Sequence, residues 1–284
     1  MDARIADLLN LLQLEQLEVN LFRGASRDVG SAQVFGGQVL GQALTAASAT
    51  VAGRVVHSLH AYFLRRGDFN APIVYQVDRS LDGHSFSNRR VVAIQHGAQI
   101  FNMAASFQIP EDGLDHQIEM PRVPPADELP DLSSPPPEML EHMTERLKQF
   151  FAQPRPFLFR PVQHGAELQS PEPARQIWFK AAGPLPDDEA LHRCLLAYAS
   201  DFFLLGTSML PHQTSMKEAQ LVVASVDHAM WFHRRLRVDD WLLYDMKSPS
   251  ASGARGFAQA GVFARDGRLV ATIAQEGLVR LKRG

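Results

Sequence analysis

The stretch HAYFLRR, residues 60–66, has a counterpart in HAMWFHR, residues 228–234, which lies 168 positions further along the chain. At nearly the same offset Arg89 meets Arg255 and Gly97 meets Gly267. Several matches that share almost one offset indicate an internal repeat, although chance similarity between two strand-rich segments is the alternative. We therefore predict that the chain consists of two related halves.

In each half a long helix is predicted to be followed by long alternating strands. The first half has a helix over 36–51 and strands over 55–64, 73–79, 85–95 and 99–108. The second half has a strand over 174–181, a helix over 187–205, and strands over 220–233, 241–247, 254–264 and 269–281. Small residues on the first helix allow a sheet to close tightly around it. This pattern predicts an α+β fold, a double hotdog in which each antiparallel sheet wraps around a long helix.

Proline divides the two halves, because 13 of the 18 prolines lie between Pro110 and Pro173. Proline lacks a backbone donor and has a fixed φ, so this stretch cannot be mostly sheet. We predict an N-terminal hotdog over 1–110, a proline-rich connector over 111–173, and a C-terminal hotdog over 174–284. A short helix is expected inside the connector, near 137–151.

The composition excludes several classes of protein. The 284 residues are 45% hydrophobic and 21% charged, as in folded globular proteins, and the net charge of −3 gives nucleic-acid binding no support. Cys194 is the single cysteine, so no intramolecular disulfide can form. Because there is no signal-peptide pattern and no run of about 18 apolar residues, we expect a cytoplasmic protein without a membrane partner.

Common catalytic and binding motifs are missing from the sequence. There is no Gly-x-Ser-x-Gly elbow, no phosphate-binding loop and no Gly-x-Gly-x-x-Gly. His57 and His60 are expected on opposite faces of a strand, so we predict no metal site and no cofactor. Gly36 and Gly37 at the predicted helix start have two interpretations. Their backbone N–H groups can bind an oxygen atom, or their small size can allow close helix packing.

Three polar residues of the second half lie where core residues are expected. Asp201 falls at the flank of the apolar stripe of the predicted helix. Ser225 shares a strand face with Asp227 in the predicted alternation. Gln275 is the polar exception in the apolar row of the last strand. Taken singly, each has a plainer interpretation, as a half-exposed aspartate, a locally bonded strand serine and a glutamine at the rim.

Together these residues form a chemically coherent set. A carboxylate such as Asp201 can accept a proton from water, while the Ser225 hydroxyl and the Gln275 amide can fix the orientation of that water. The corresponding row of the first half has Ala105 in the place of Gln275. The pattern thus predicts a hydrolase whose polar groups belong to the second half.

The segments around these residues resemble the acyl-CoA thioesterase II family, a double-hotdog family. The resemblance runs from about Leu9 to the C-terminus and rests on LFRG (21–24), QVFGGQV (33–39), VHSLHAYFLR (56–65), DGHSF (82–86), YASD (198–201), DHAMWFHR (227–234) and QEG (275–277). It implies a catalytic Asp, Ser or Thr, and Gln, which fall on Asp201, Ser225 and Gln275. Hence both the residue pattern and the resemblance select the same positions.

The chain departs from the family pattern at two places. Bacterial members carry Thr where this chain has Ser225, which keeps the hydroxyl and loses the methyl group. The usual Arg-Pro-Gly-Asp turn here contains Arg66 in place of the proline. We expect activity to survive the first change, with looser positioning of water, and the second to loosen the turn slightly.

The resemblance implies hydrolysis of fatty acyl-CoA to free fatty acid and CoA. Asp201 would accept a proton from water held by Ser225 and Gln275, and a backbone N–H near Gly36–Gly37 would stabilise the oxyanion. The expected partner is the acyl-CoA substrate, with no cofactor, and the family suggests a homo-oligomer, a dimer or tetramer of double hotdogs.

Two other functions fit the same fold. One is an acyl-CoA-binding hotdog protein without hydrolytic activity, which the presence of all three polar residues disfavours. The other is an enoyl-CoA hydratase-like enzyme. It would need an Asp/His pair aimed at the substrate, and the adjacent Asp227 and His228 are expected to face opposite ways.

Overall fold

The computed structural model describes residues 2–30, 33–134, 155–163, 172–215 and 221–281. The helices are α1 (Ala3–Leu12), α2 (Gly36–Ser48), α3 (Glu189–Ala199) and α4 (Leu204–Thr207), with 3-10 turns at Ala126–Glu128 and Leu210–Ser215. The strands are β1 (Glu15–Glu18), β2 (Leu21–Gly24), β3 (Val55–Phe63), β4 (Ile73–Asp82), β5 (Phe86–Gln95), β6 (Ala98–Gln108), β7 (Phe157–Pro161), β8 (Ala174–Ala181), β9 (Leu221–Ser225), β10 (Asp227–Phe232), β11 (Leu242–Ser252), β12 (Arg255–Ala264) and β13 (Leu269–Leu281).

A single antiparallel sheet runs through the molecule in the order β1-β2-β4-β5-β6-β3-β10-β13-β12-β11-β8-β7, with β9 paired to β13. From the centre outward the order is the same in both halves. The strands β3, β6, β5, β4, β2 and β1 correspond to β10, β13, β12, β11, β8 and β7. The first half of the sheet packs its apolar face on α2, whereas the second half packs on α3 and on the short α4 that follows it. The predicted double-hotdog fold is therefore confirmed.

The two halves join where β3 pairs with β10. His60 lies opposite Ala229, and Ala61 lies opposite His228. Ala61 and His228 are both buried, whereas His60 is exposed, so His60 and His228 are not equivalent positions. The turns after the two strands give an offset of 169 and not the 168 of the sequence match, because Leu64 and Arg65 donate to Ile100 as His233 and Arg234 donate to Val270. The direct match was wrong by one residue, which places aligned side chains on opposite faces of the sheet.

The match of Arg89 with Arg255 is also wrong. Arg89 on β5 lies opposite Ala105 on β6. At the corresponding place in the second half, Ala258 on β12 lies opposite Gln275 on β13. Arg89 and Ala258 are buried, whereas Arg255 is exposed. Arg89 therefore corresponds to Ala258, while the predicted correspondence of Ala105 with Gln275 agrees with the strand pairing.

The central helices α2 and α3 pack closely against each other. A Cβ atom on Gly37 would lie 2.2 Å from the carbonyl oxygen of Tyr198, and one on Gly41 would lie 3.3 Å from that of Cys194. Backbones approach this closely only where no side chain intervenes. The start of α2 is thus held against the end of α3. At its other end, α3 is capped by Asp188, whose side chain accepts hydrogen bonds from two backbone N–H groups.

Helix α3 ends at Ala199, earlier than the predicted end near Leu205. Phe203 has a φ of 66°, in the left-handed region that side chains disfavour, and this interrupts the helix before α4. Asp201 consequently lies in the turn after α3 and not on a continuous helix. The apolar segment Glu189–His212 has the length and hydropathy of a membrane-spanning helix, but 72% of its most apolar window is buried inside this fold.

The described part of the predicted connector covers the outer face of the second half. Trp178 donates its indole N–H to the carbonyl oxygen of Pro124 at 2.9 Å, and Ala126 and Leu129 are buried beside it in a second apolar cluster. Strand β7 lies within 111–173 and pairs with β8. The short helix expected near 137–151 lies outside the described residues, and the three domain ranges stay a prediction.

Candidate active site

Asp201 is the centre of a polar cluster in the turn after α3. Its Oδ1 atom accepts hydrogen bonds from Gln275 Nε2 at 2.7 Å and from Ser225 Oγ at 3.5 Å. Its Oδ2 atom accepts from the backbone N–H of Gly37 at 3.0 Å. All the candidate residues from the sequence therefore converge, and the first half contributes through the start of α2.

Ser225 reaches this cluster because the strand is interrupted after it. The backbone N–H of Val226 donates to the carbonyl oxygen of Glu276, and β10 resumes at Asp227 with a different register on β13. The interruption turns Ser225 inward, where its hydroxyl accepts from Gln275 Nε2 at 3.1 Å. The prediction that Ser225 and Asp227 share a strand face was wrong, because it assumed an unbroken alternation.

Gln275 projects from β13 into the interior and is fully buried. Its Nε2 donates to both Asp201 and Ser225, which fixes the orientation of the amide. The Oε1 atom therefore points away from the carboxylate, and it has no hydrogen-bond partner within the described parts of the chain. The cluster thus contains a buried acceptor that no described donor satisfies.

Burial raises the pKa of Asp201 to about 6, against hydrogen bonds from Gln275, Gly37 and Ser225 that lower it. The surrounding protein removes water that would otherwise solvate the charge, which disfavours the ionised form. A carboxyl group with a pKa near 6 is mostly ionised at neutral pH and can still accept a proton readily. Its electrostatics therefore suit a general base.

Gly36 and Gly37 are required by the close approach of the two halves. A Cβ atom on Gly36 would lie 2.7 Å from Asp201 Oδ2, and one on Gly37 would lie inside contact distance of the Tyr198 carbonyl oxygen. Gly37 uses its N–H to hold Asp201. The close-packing interpretation of this pair is therefore realised, and binding of substrate oxygen by these amides stays a prediction.

A buried network, which the sequence analysis missed, supports the backbone just before Asp201. Ser200 Oγ donates to the Ala197 carbonyl oxygen and lies 2.9 Å from His228 Nε2, while the Tyr244 hydroxyl donates to the Ser200 carbonyl oxygen at 2.7 Å. Burial lowers the pKa of His228 to about 3, so the ring is neutral. Because the Ser200 hydroxyl donates to Ala197, we assign the donor in the second contact to His228 Nε2. The signal in the sequence was a histidine in the apolar row of β10.

The residues needed for a hydratase-like site do not form one. His228 is buried and bonded to Ser200, whereas Asp227 accepts from the backbone N–H of Glu276 on the opposite side of the strand. They therefore do not form an Asp/His pair at the cleft. Among the described residues, no group of three or more His, Cys, Asp or Glu side chains is arranged to hold a metal ion.

A cleft of about 170 Å³ opens beside the polar cluster. Ser225 and Gly36 line it at one end, and its other walls combine apolar side chains such as Val39, Phe63 and Phe101 with polar and charged ones. Such a cleft can hold a narrow part of a ligand beside Ser225, next to the polar cluster. Fold and site together define a double-hotdog protein with a carboxylate-centred cleft where its two repeats meet.

Comparison with known proteins identifies the family. The model of the acyl-CoA thioesterase N-terminal domain matches residues 25–108, and that of acyl-CoA thioesterase matches residues 146–278. Acyl-CoA thioesterase 2 of Haemophilus influenzae is 42% identical over 281 residues, covering 96% of this chain and 97% of that protein. Human acyl-coenzyme A thioesterase 8 is 42% identical over 292 residues, covering 99% and 91%.

Comparison with solved structures supports the same family and fold. The acyl-CoA thioesterase II of Mycobacterium marinum superposes with a TM-score of 0.81 at 45% identity, covering 97% of this chain and 98% of that one. A hotdog protein of Alicyclobacillus acidocaldarius, with 19% identity, a TM-score of 0.75 and coverage of 95% and 97%, shares the fold. The chain belongs to the acyl-CoA thioesterase II family and is a thioester hydrolase that acts on acyl-CoA. The resemblance found in the sequence is thus confirmed.

Proposed function

We propose that the protein hydrolyses fatty acyl-CoA to free fatty acid and CoA by direct attack of a water molecule that Asp201 activates. The observation that carries this proposal is the convergence of Asp201, Ser225 and Gln275 beside a cleft that Ser225 lines. A carboxylate held by a hydroxyl and an amide is suited to general-base chemistry on water.

Two acceptors of the cluster can orient the water. Gln275 Oε1 is buried, and the described residues supply it with no donor. A water that donates one hydrogen to Asp201 keeps a lone pair for the thioester carbon, and its second hydrogen can be directed toward Gln275. Ser225 and the Nε2 of Gln275 meanwhile hold the carboxylate in place.

The proposed reaction has two steps. Asp201 takes a proton from the water while the water oxygen forms a bond to the thioester carbon. The carbonyl π electrons move onto the carbonyl oxygen. The carbon–sulfur bond then breaks as the carbonyl re-forms. The thiolate of CoA leaves and takes the proton from Asp201. Water and thioester are converted to fatty acid and thiol, and no covalent link to the protein is formed.

The Gly37 amide has a positioning role in this proposal, because it donates to Asp201 Oδ2 at 3.0 Å. It anchors the oxygen that Gln275 and Ser225 do not hold. An oxyanion role for the Gly36–Gly37 amides, expected from the sequence, stays a prediction. The first repeat thus supplies an anchor for the base of the second repeat.

Isotope labelling tests direct attack by water. In a single turnover of palmitoyl-CoA in oxygen-18 water, the label should enter the fatty acid and should be absent from the peptide that carries Asp201. Mass spectrometry of acid-quenched protein during turnover should show no acyl adduct. An acyl–protein intermediate, or label in the Asp201 carboxylate, would show that the carboxylate acts as a nucleophile.

Self-association and a cytoplasmic location stay proposals. Association through the sheets is supported by the exposed apolar side chains Tyr62, Leu64 and Trp231 around the β3–β10 junction, which are 54%, 46% and 37% exposed. A location in a reducing compartment is supported by the buried, unpaired Cys194. Light scattering on the purified protein measures its molar mass in solution. A molar mass equal to that of one chain would contradict self-association.

A further inference from the structure

The cleft that contains the candidate active site also opens onto two arginines. Arg65 and Arg66 line the same cavity as Ser225 and Gly36. Both arginine side chains are exposed, whereas the cavity wall next to Ser225 is formed by the partly buried Phe63 and the buried Phe101. The cleft therefore has a catalytic end inside the protein and a cationic rim in solvent.

The turn that carries these arginines is firmly tied to its surroundings. The backbone N–H groups of Leu64 and Arg65 both donate to the carbonyl oxygen of Ile100 at 2.9 and 3.1 Å. The carbonyl oxygen of Gly67 accepts from Val34 at 3.1 Å, which links the turn to the segment preceding α2. The arginine that replaces the family's usual proline therefore projects from an ordered backbone.

Neither guanidinium is neutralised by a carboxylate in the part of the chain that the structure describes. Arg65 donates one N–H to the carbonyl oxygen of Gln99 at 2.6 Å, and Arg66 has no hydrogen bond or ion pair to any residue that the structure describes. The nearby Asp68 accepts hydrogen bonds from Asn70 and His96. Two positive charges are thus left to a ligand.

The equivalent turn of the second repeat provides an internal comparison. His233 and Arg234 both direct their backbone N–H groups to Val270, as Leu64 and Arg65 do to Ile100, so Arg234 and Arg235 occupy the places of Arg65 and Arg66. There the arginines are paired, Arg234 with Asp115 and Arg235 with Asp187. Only the turn that borders the catalytic cleft leaves both arginines without acidic partners among the described residues.

We propose that Arg66, assisted by Arg65, binds the phosphate groups of coenzyme A at the mouth of the cleft and so sets the affinity for the CoA part of the substrate. This proposal rests on the proposed function, in which the thioester lies beside Asp201. The acyl chain carries no charge, and the phosphates lie at the far end of the CoA moiety. They must therefore remain outside the apolar cavity, where a guanidinium pair can bind them.

Kinetics with two matched substrates test this role. Decanoyl-CoA and decanoyl-pantetheine share the acyl chain and the thioester, but the second has no phosphate. Arg66→Ala should raise the KM for decanoyl-CoA about fivefold, and the Arg65→Ala/Arg66→Ala double variant about twentyfold, with kcat unchanged. The KM for decanoyl-pantetheine should stay within about twofold, and added salt should shrink the difference for decanoyl-CoA.

Two control variants sharpen the result. Arg66→Lys keeps the charge and should lose less affinity than Arg66→Ala. Arg235→Ala removes the equivalent exposed arginine of the second repeat and should leave both KM values unchanged. The proposal is overturned if the double variant binds decanoyl-CoA as the wild type does, or if both substrates weaken equally.

Calorimetric titration with CoA keeps this test separate from the proposed function. If the wild type releases no thiol from any acyl-CoA, the proposed function fails, but CoA binding can still be measured. A CoA affinity that falls in the double variant supports the arginine site in either case. An affinity equal to that of the wild type overturns it.

Discussion

Gln275 Nε2 donates to Asp201 Oδ1 at 2.7 Å, which joins the last strand of the second repeat to the turn after its central helix. The other carboxylate oxygen is bound by the Gly37 amide, 164 positions earlier in the chain. The candidate base is therefore held on both sides, once by each repeat. A single hotdog unit of this chain would lack one of the two anchors.

The activity should follow the ionisation of Asp201. Because burial raises its pKa to about 6, kcat/KM should fall about tenfold per pH unit well below that value and level off above it. Initial rates of thiol release from about pH 4.5 to about pH 8.5 measure the profile. A flat pH profile across this range, or an inflection near the pKa of an ordinary aspartate, would contradict the assignment of Asp201 as the base.

The same raised pKa has a consequence for stability. The folded-state pKa of Asp201, about 6, lies above the ordinary aspartate value of 3.8, so folding favours the protonated form and stability is lost as pH rises through about 6. Asp201→Asn should therefore raise the free energy of unfolding by roughly 1–2 kcal/mol at pH 8 and little at pH 4. Urea denaturation at both pH values measures it. Equal effects at the two pH values would contradict the linkage.

Ser225 should act through its hydroxyl. Ser225→Thr introduces the threonine that the resemblance to bacterial family members leads us to expect at this position. This variant should keep kcat within about threefold of the wild-type value. Ser225→Ala removes the donor to Asp201 and should lower kcat about tenfold or more, with little change in stability. Steady-state rates with one acyl-CoA compare both variants. If the alanine variant is as active as the threonine variant, the hydroxyl has no part in the reaction.

The close approach of the two central helices predicts a severe effect at Gly37. A Cβ atom there would lie 2.2 Å from the Tyr198 carbonyl oxygen, and both atoms belong to packed helices that cannot separate cheaply. Gly37→Ala should destabilise the protein by about 3 kcal/mol or more and remove activity. Gly113→Ala is the matched control, since no atom of the described residues lies within 4 Å of its Cβ position. Similar melting temperatures for the two variants would contradict the packing.

Much of the fold could be predicted because its strands alternate clearly. The predicted ranges of β8 and β13 agree with the structure, and the repeat indicated two equivalent halves. Strand β1 was missed because all of Glu15–Glu18 is exposed and shows no alternation. Strand β7 was missed because it lies among the prolines of the predicted connector. The sequence match was one residue out of register, because similar letters on neighbouring positions do not report which face they occupy.

The residue types of the candidate site were accessible from the sequence, whereas their geometry was not. Polar residues in apolar rows singled out Asp201, Ser225 and Gln275. The inward turn of Ser225 depends on a backbone bond between Val226 and Glu276, on different strands. The anchoring of Asp201 by Gly37 depends on how the two repeats pack. Such long-range contacts leave no periodic pattern in the chain.

The central claim is that Asp201 is the base that activates water. Its most direct test is the rate of CoA release from palmitoyl-CoA by the wild type and by Asp201→Asn at pH 8, with circular dichroism to establish that both are folded. The asparagine keeps the size of the side chain and cannot accept the proton, so kcat should fall by about 10²–10⁴ while KM changes little. Equal rates for the two proteins would contradict the account.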